Sequence, residues 1–363
     1  MRILVHPAFS KNCGARILSL VFLLVLGGHP SFAESQLAAA ATQITGPITV
    51  AQLESFVAKA RGKRDAGVAN EIAGMELMER LSAARFARCQ ASLPGQRAKT
   101  ALLVLADSSA FLDPPVDEIL AREEPDPASQ KKMIALTVDY VNNTIHRLPN
   151  LSATRVTTTF ERVSSSKKPM HRVAKSSAVI LYRDGQEQVR GRIPDKAVGL
   201  RTSGEFGVIL DTVLLDAVSG NLQWSRWQQG TAGPEAVFRY STGGRKSHYK
   251  VDGEDTAYIG EIAIDPFSGA ILRIVFRTDL DPNNPLGTFS PLARTADISV
   301  EYGPVELGGK TYICPLKGVA LSNRMDLILP MHADVTWLND RVFENYHLFR
   351  SDVRIVPDFS DVH

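Results

Sequence analysis

The spacing of apolar residues changes once along this chain, near residue 153. Before that point they recur every three or four positions, the period of a helix with one buried face. Val68, Ile72, Met75 and then Met78 or Leu81 fall on one such face behind Asp65 as N-cap. A second short helix is predicted from Ser82 to Ser92, stopped by Pro94-Gly95, and a third from about Gln96 to Ala110, stopped near Asp113-Pro114-Pro115. Asp126-Pro127 places a cap before a proline at the first helical position, and Met133, Leu136, Tyr140, Val141 and Ile145 continue an amphipathic helix toward Arg147.

From Ala153 onward the period is 2, with β-branched and aromatic residues between Gly, Pro and Asp turns. In Arg294 to Tyr302, Ala296, Ile298, Val300 and Tyr302 fall on one side and Thr295, Asp297, Ser299 and Glu301 on the other, which predicts one buried face and one wet face. Asp265 to Gly269 separates the strands 258–264 and 270–277, and Gly308-Gly309 separates 305–307 from 310–314; such short connections predict antiparallel hairpins. Phe206, Ile209, Leu210, Val213 and Leu214 break the pattern with helical spacing, predicting a helix packed on the sheet. The expected fold is therefore α+β: an N-terminal helical bundle followed by a large antiparallel sheet that can curve into a half-open β-barrel, with a helix packed on it.

These elements divide the chain into a helical segment at 49–112, an acidic Pro-rich linker at 113–126, an amphipathic helix at 127–148, a β domain at 153–357 and a tail at 358–363. The first 48 residues read differently. Residues 1–33 carry Arg2, Lys11 and Arg16 with no acid, then an apolar run from Ile17 to Leu26, a Gly27-Gly28-His29-Pro30 breaker and Ser31-Phe32-Ala33. That is the form of a secretory signal peptide cut after Ala33, with a flexible start at 34–48 behind it. The expectation is a soluble periplasmic or secreted protein without a transmembrane segment after cleavage.

Export makes charge and cysteine usage informative. With Lys+Arg 41 and Asp+Glu 39, removing three cations leaves 38 against 39, or −1, which does not fit nucleic-acid binding as the main task. In an oxidising compartment Cys89 and Cys314 are candidates for one bridge; the alternative is two separate buried thiols. Residues 155–201 hold eleven Lys/Arg against four Asp/Glu, a local +7. Within them Lys167, Lys168, Arg172 and Lys175 are the candidate contact for an anionic partner such as lipid headgroups. The alternatives are pairing with the acidic linker, where six acids face one Arg, or a solvated surface.

The order Leu148-Pro149-Asn150, Gly204-Glu205-Phe206-Gly207, Leu222-Gln223-Trp224, Ala236 to Tyr240, Tyr258 to Asp265, Val300-Glu301-Tyr302 and Phe343-Glu344-Asn345-Tyr346 resembles a family of uncharacterised exported bacterial proteins. The resemblance spans most of the chain after residue 33 and implies no activity. An exported antiparallel sheet with helices on one face is also similar in architecture to the lipoprotein-carrier fold, a half-open barrel whose concave side holds acyl chains. That analogy concerns shape alone.

Catalytic motifs are absent from the sequence: no Gly-x-Ser-x-Gly elbow, His-Glu-x-x-His helix, phosphate-binding loop or dinucleotide fingerprint, and no cofactor is implied. His146, His171, His248, His332 and His347 have no metal-ligand spacing, and the acid pairs Glu254-Asp255 and Asp279/Asp281 fall at turns. Trp224, Trp227, Phe238, Tyr240 and Tyr249 are the candidate wall of an apolar site, with core packing as the rival. Trp224 and Trp227, three apart, point to opposite faces of a regular strand. The expected function is non-enzymatic binding of an apolar or amphiphilic ligand, a lipid or lipoprotein acyl chain. The alternatives are an envelope-directed hydrolase and a module that docks another envelope protein.

Overall fold

A computed structural model describes residues 46–143, 148–166, 168–191, 200, 202–243, 247–251, 254–279, 293–325 and 334–349. The expected signal peptide, most of the expected flexible start, His146, Lys167, Asp281, His332 and the tail lie outside the described residues. The fold is α+β. Four helices come first, α1 (Val50–Lys59), α2 (Asp65–Ala73), α3 (Ala83–Ser92) and α4 (Gln96–Ser108), followed by α5 (Pro127–Asn143). Three strands follow, β1 (Leu151–Val163), β2 (His171–Arg183) and β3 (Gln186–Arg190), then α6 (Val208–Ser219). The remaining strands are β4 (Asn221–Gln229), β5 (Pro234–Thr242), β6 (Lys250–Val251), β7 (Glu254–Asp255), β8 (Tyr258–Ile264), β9 (Ile271–Asp279), β10 (Ala293–Leu307), β11 (Lys310–Met325) and β12 (Asp334–Leu348).

Ten of these strands form one sheet in the order β3-β2-β1-β12-β11-β10-β9-β8-β5-β4, every described pairing antiparallel. The sheet is open: β3 and β4 are its two ends and do not close into a barrel. Both predicted hairpins form, β8–β9 and β10–β11. The first turn requires its glycine. Gly269 has φ +73, and a Cβ there would lie 2.4 Å from the backbone of Leu136 in α5. Gly260 in β8 is required for another reason, since a Cβ would sit 1.9 Å from the Val275 carbonyl, which accepts the Tyr240 hydroxyl proton at 2.9 Å.

The N-terminal helices depart from the predicted details. Thr49 opens α1 with a reciprocal pair of bonds to Gln52, and Val50, Leu53 and Val57 are buried behind it. Ile48, inside the expected flexible start, is 1% exposed and exchanges backbone bonds with Glu76 and Met78. Asp65 is not the cap of α2. Its carboxylate accepts the N–H groups of Arg97 and Ala98 at 3.1 and 2.9 Å and caps α4 from outside, where Gly95 offers no side chain. Of the two ends offered for that apolar face, Met78 is 62% exposed while Leu81 is buried in the same cluster as Val68 and Ile72, although α2 itself stops at Ala73 before Gly74.

Helices cover the sheet from two sides, correcting the expected wet face of β10. Ile274, Phe276, Ile298, Val300 and Ala320 pack beneath α5 and α6, against Met133, Val141, Ile209, Val213 and Leu214. On the opposite side Phe160, Val319 and Leu338 meet Leu103 and Val104 of α4 and Phe111 beyond it. Asp297 and Ser299, placed outward by alternation, are 5% and 3% exposed. The seam under α4 is rich in charge. Lys317 Nζ lies 2.5 Å from Asp107 and 3.7 Å from Asp340, and Arg273 donates to the Ala110 carbonyl. Arg226 makes a two-bond contact with Glu261, both at 2.7 Å.

The acidic stretch 113–126 is fastened down. Arg85 pairs with Asp117 and Glu118, while Asp113 pairs with Arg226 and Arg239, so these acids are not matched to the basic run 155–201. Leu120 N–H donates to the Trp227 carbonyl at 3.0 Å, Ile119 bridges to Gln228, and Trp227 Nε1 donates to the Glu123 carbonyl at 2.9 Å. The segment thus runs along the outer edge of β4.

Candidate functional site

A cavity of about 440 Å³ opens where α2 and α4 meet the β1–β2 hairpin. Helical spacing assembles one wall. Arg97, Thr100, Ala101 and Val104 follow each other at three- and four-residue steps on α4, and Ala69 and Ala73 are four apart on α2. The alanines leave room that larger side chains would fill. Phe160, 1% exposed, is shared between this cavity and the apolar contact with α4.

The opposite wall depends on an irregularity in the sheet. Thr159 pairs with Ala174 but Phe160 pairs with Arg172, so Val173 is the extra residue of a bulge. Regular pairing would put Val173 across from Phe160; the bulge puts Arg172 there instead. Met170 and His171 complete that wall. Among the described residues no carboxylate lines the cavity, and neither Arg97 nor Arg172 makes an ion pair. Asp65, at the start of α2, is turned to backbone N–H groups, and Glu161 accepts the Trp337 Nε1 proton at 2.8 Å. The arrangement offers an apolar floor with a cationic rim.

Of the basic residues singled out from sequence, Arg172 therefore lines the cavity. Lys168 and Lys175 are exposed on the same hairpin, and Lys167 lies outside the described residues. The aromatic set is located elsewhere. Phe238 and Tyr240 are buried in the core under α5 and α6, with Trp224, Trp227 and Tyr249 packed against it, and none of the five lines the cavity. The opposite-face expectation for the two tryptophans is overturned by a bulge between Trp224 and Arg226. It brings both rings together at 5.0 Å between centroids.

The two cysteines are free and buried in different clusters, Cys89 among the N-terminal helices and Cys314 in the sheet near Phe343, so they are not bridged. Burial pushes the Cys314 thiol up to about 12. It also raises Cys89, reinforced by Glu54. Neither is an activated thiolate. Among the described residues no group of three or more His, Cys, Asp or Glu is placed to hold a metal ion, and no helix is long and apolar enough to cross a membrane.

One polar constellation escaped the sequence reading. Asp216 on α6 is 0% exposed, and its Oδ1 lies 2.5 Å from His248 Nδ1. Its Oδ2 accepts the Tyr258 hydroxyl at 2.7 Å and the His248 backbone N–H at 2.9 Å. Burial first, and the bond to Asp216 next, raise the Tyr258 phenol far above its usual range. The available signal was an acid on the apolar side of α6, between Val213 and Ala217. His171 stands at the cavity and His347 is exposed on β12.

Comparison with known proteins found no matching family model, no similar curated protein and no similar solved structure.

Proposed function

We propose that this chain is an exported, non-enzymatic binder of an amphiphilic ligand whose apolar part enters the cavity between α2, α4 and the β1–β2 hairpin. In this reading residues 1–33 direct export and are removed, and the open sheet is curved as a half-barrel. The observation that carries the proposal is the meeting of Phe160, Val104 and Met170 with a cationic rim in a space of about 440 Å³. Small-molecule sites occupy roughly 300–1,000 Å³ and combine apolar walls with a few polar groups. The test is titration with a fluorescent fatty acid. Saturable binding in the native chain is expected, with loss in Ala101→Phe, which fills the space between the two walls. Equal binding by both proteins would place the ligand elsewhere.

A hydrolytic reading has one observation in its favour, the Asp216–His248 pair. An imidazole that donates Nδ1–H to a buried carboxylate keeps Nε2 as its acceptor, and the His248 side chain is 61% exposed. Such a ring takes a proton from water as the water oxygen bonds to an ester carbonyl, then returns it to the departing alkoxide. Turnover of p-nitrophenyl acetate above buffer, lost in His248→Asn, would support this reading. A native rate equal to buffer would remove it.

A further inference from the structure

Resting on the amphiphile reading, we infer that the ligand's head is an oxyanion, carboxylate or phosphate, gripped between Arg97 of α4 and Arg172 of β2. Two guanidinium groups come from separate elements to one cavity, and neither has an ion-pair partner among the described residues. His171 adds a third nitrogen donor to the same rim, and Lys168 and Lys175 extend positive charge along the hairpin. Of the acids near the lining residues in sequence, Asp65 and Glu161 are committed to other partners, and Glu71, exposed on α2 beside Asn70, is not among the residues that line the cavity.

Charge complementarity thus selects an anion, and guanidinium geometry selects one with two or more oxygens, because each planar fork forms paired bonds with carboxylate or phosphate. The volume of about 440 Å³ lies in the range of small-molecule sites and is of a size for a single acyl chain. A head held by both arginines also ties α4 to β2 through the ligand.

The experiment compares oleate, oleyl alcohol, lysophosphatidate and inorganic phosphate by calorimetric titration of the full chain, with the lipids below their aggregation threshold. Oleate is expected to bind at least tenfold more tightly than oleyl alcohol, with that advantage shrinking as salt is raised. Arg97→Gln with Arg172→Gln should erase the advantage, read as the ratio of oleate to oleyl alcohol affinity within the same variant. Arg97→Lys with Arg172→Lys should retain charge attraction but lose part of the preference. A tighter grip on lysophosphatidate than on oleate, with phosphate alone competing, would identify a phosphate head; the reverse order would identify a carboxylate. Equal binding of oleate and oleyl alcohol would overturn the oxyanion while leaving the amphiphile reading in place. Failure of every lipid to bind would remove both.

Discussion

The two seams that hold helices to the sheet are built from opposite materials. Under α5 and α6 the contact is a broad apolar core in which Asp216 has three donors and Tyr240 reaches the Val275 carbonyl; at its margin Arg155 and Arg341 pair with Glu205, where Glu205 Oε2 has no hydrogen-bond partner. Under α4 the apolar contact is small, and around it Arg80 Nη1, Arg273 Nε, Asp107 Oδ2 and Asp340 Oδ1 are buried without a hydrogen-bond partner. Burying charged groups without full pairing is costly. The first seam contributes cohesion through area removed from water; the second defines a fit between charges and is the weaker one. The candidate cavity lies beside the weaker seam, where α4 is held by fewer apolar contacts.

The largest expected effect comes from cutting the apolar seam. Phe276→Ala should cost about 3–5 kcal/mol in denaturant unfolding, the range for a buried Phe truncated to Ala. A loss no larger than that of a surface substitution would deny the contrast. Next is Lys317→Met, which strips the cation from two buried carboxylates and should cost about 3 kcal/mol. Adding Asp107→Leu to it should return most of that loss, because a charge pair replaced by apolar groups is close to neutral. If the double variant is as unstable as the single one, the charges contribute cohesion after all.

A smaller effect distinguishes the seams by pH. Burial raises the Asp107 carboxyl to about 7, with Lys317 opposing and Asp340 reinforcing the shift, and burial also raises Asp340. A pKa higher folded than unfolded gives a stability contribution fully present below about pH 4 and lost as pH rises through about 7. Glu261 runs the other way. Burial alone would raise it, but Arg226 and Arg239 more than offset this and hold it at about 2, so its contribution is present above about pH 4.5 and lost as pH falls through 2. Exchange protection of α4 should therefore increase from pH 8 to pH 6, and Asp107→Asn should flatten that dependence. The smallest effect tests the helical segment alone. Thr49→Ala removes the α1 cap and should cost about 1 kcal/mol, seen as faster exchange in the first turn of α1.

The same contrast explains what was legible in the sequence. Alternation in β10 located Ile298 and Val300 inside, because apolar residues at period 2 have few other uses. It also placed Asp297 and Ser299 in water, since polar residues on a strand carry no mark of what packs over that face. Bulges were invisible for a related reason. The extra residue beside Trp224 and the one at Val173 change which side chains share a face without altering composition. The cavity was half legible: the basic hairpin containing Arg172 stood out, but Ala69, Ala73 and Ala101 look like ordinary helix formers. The free space they leave exists only because β1 and β2 pack nearby.

The strip formed by residues 119–123 along β4 has a consequence for how molecules of this chain meet one another. A ten-strand open sheet ends in two rows of backbone donors and acceptors, and an uncovered row invites a second chain to add a strand. At β4 that row is occupied by the chain's own Ile119 and Leu120, with Trp227 pinned to Glu123. At β3 it is only five residues long and ends in Arg190. The segment thereby covers β4 at Trp227 and Gln228, whereas β3 reaches only half of β2, so that among the described residues the row at 171–178 is the longer edge open to an added strand.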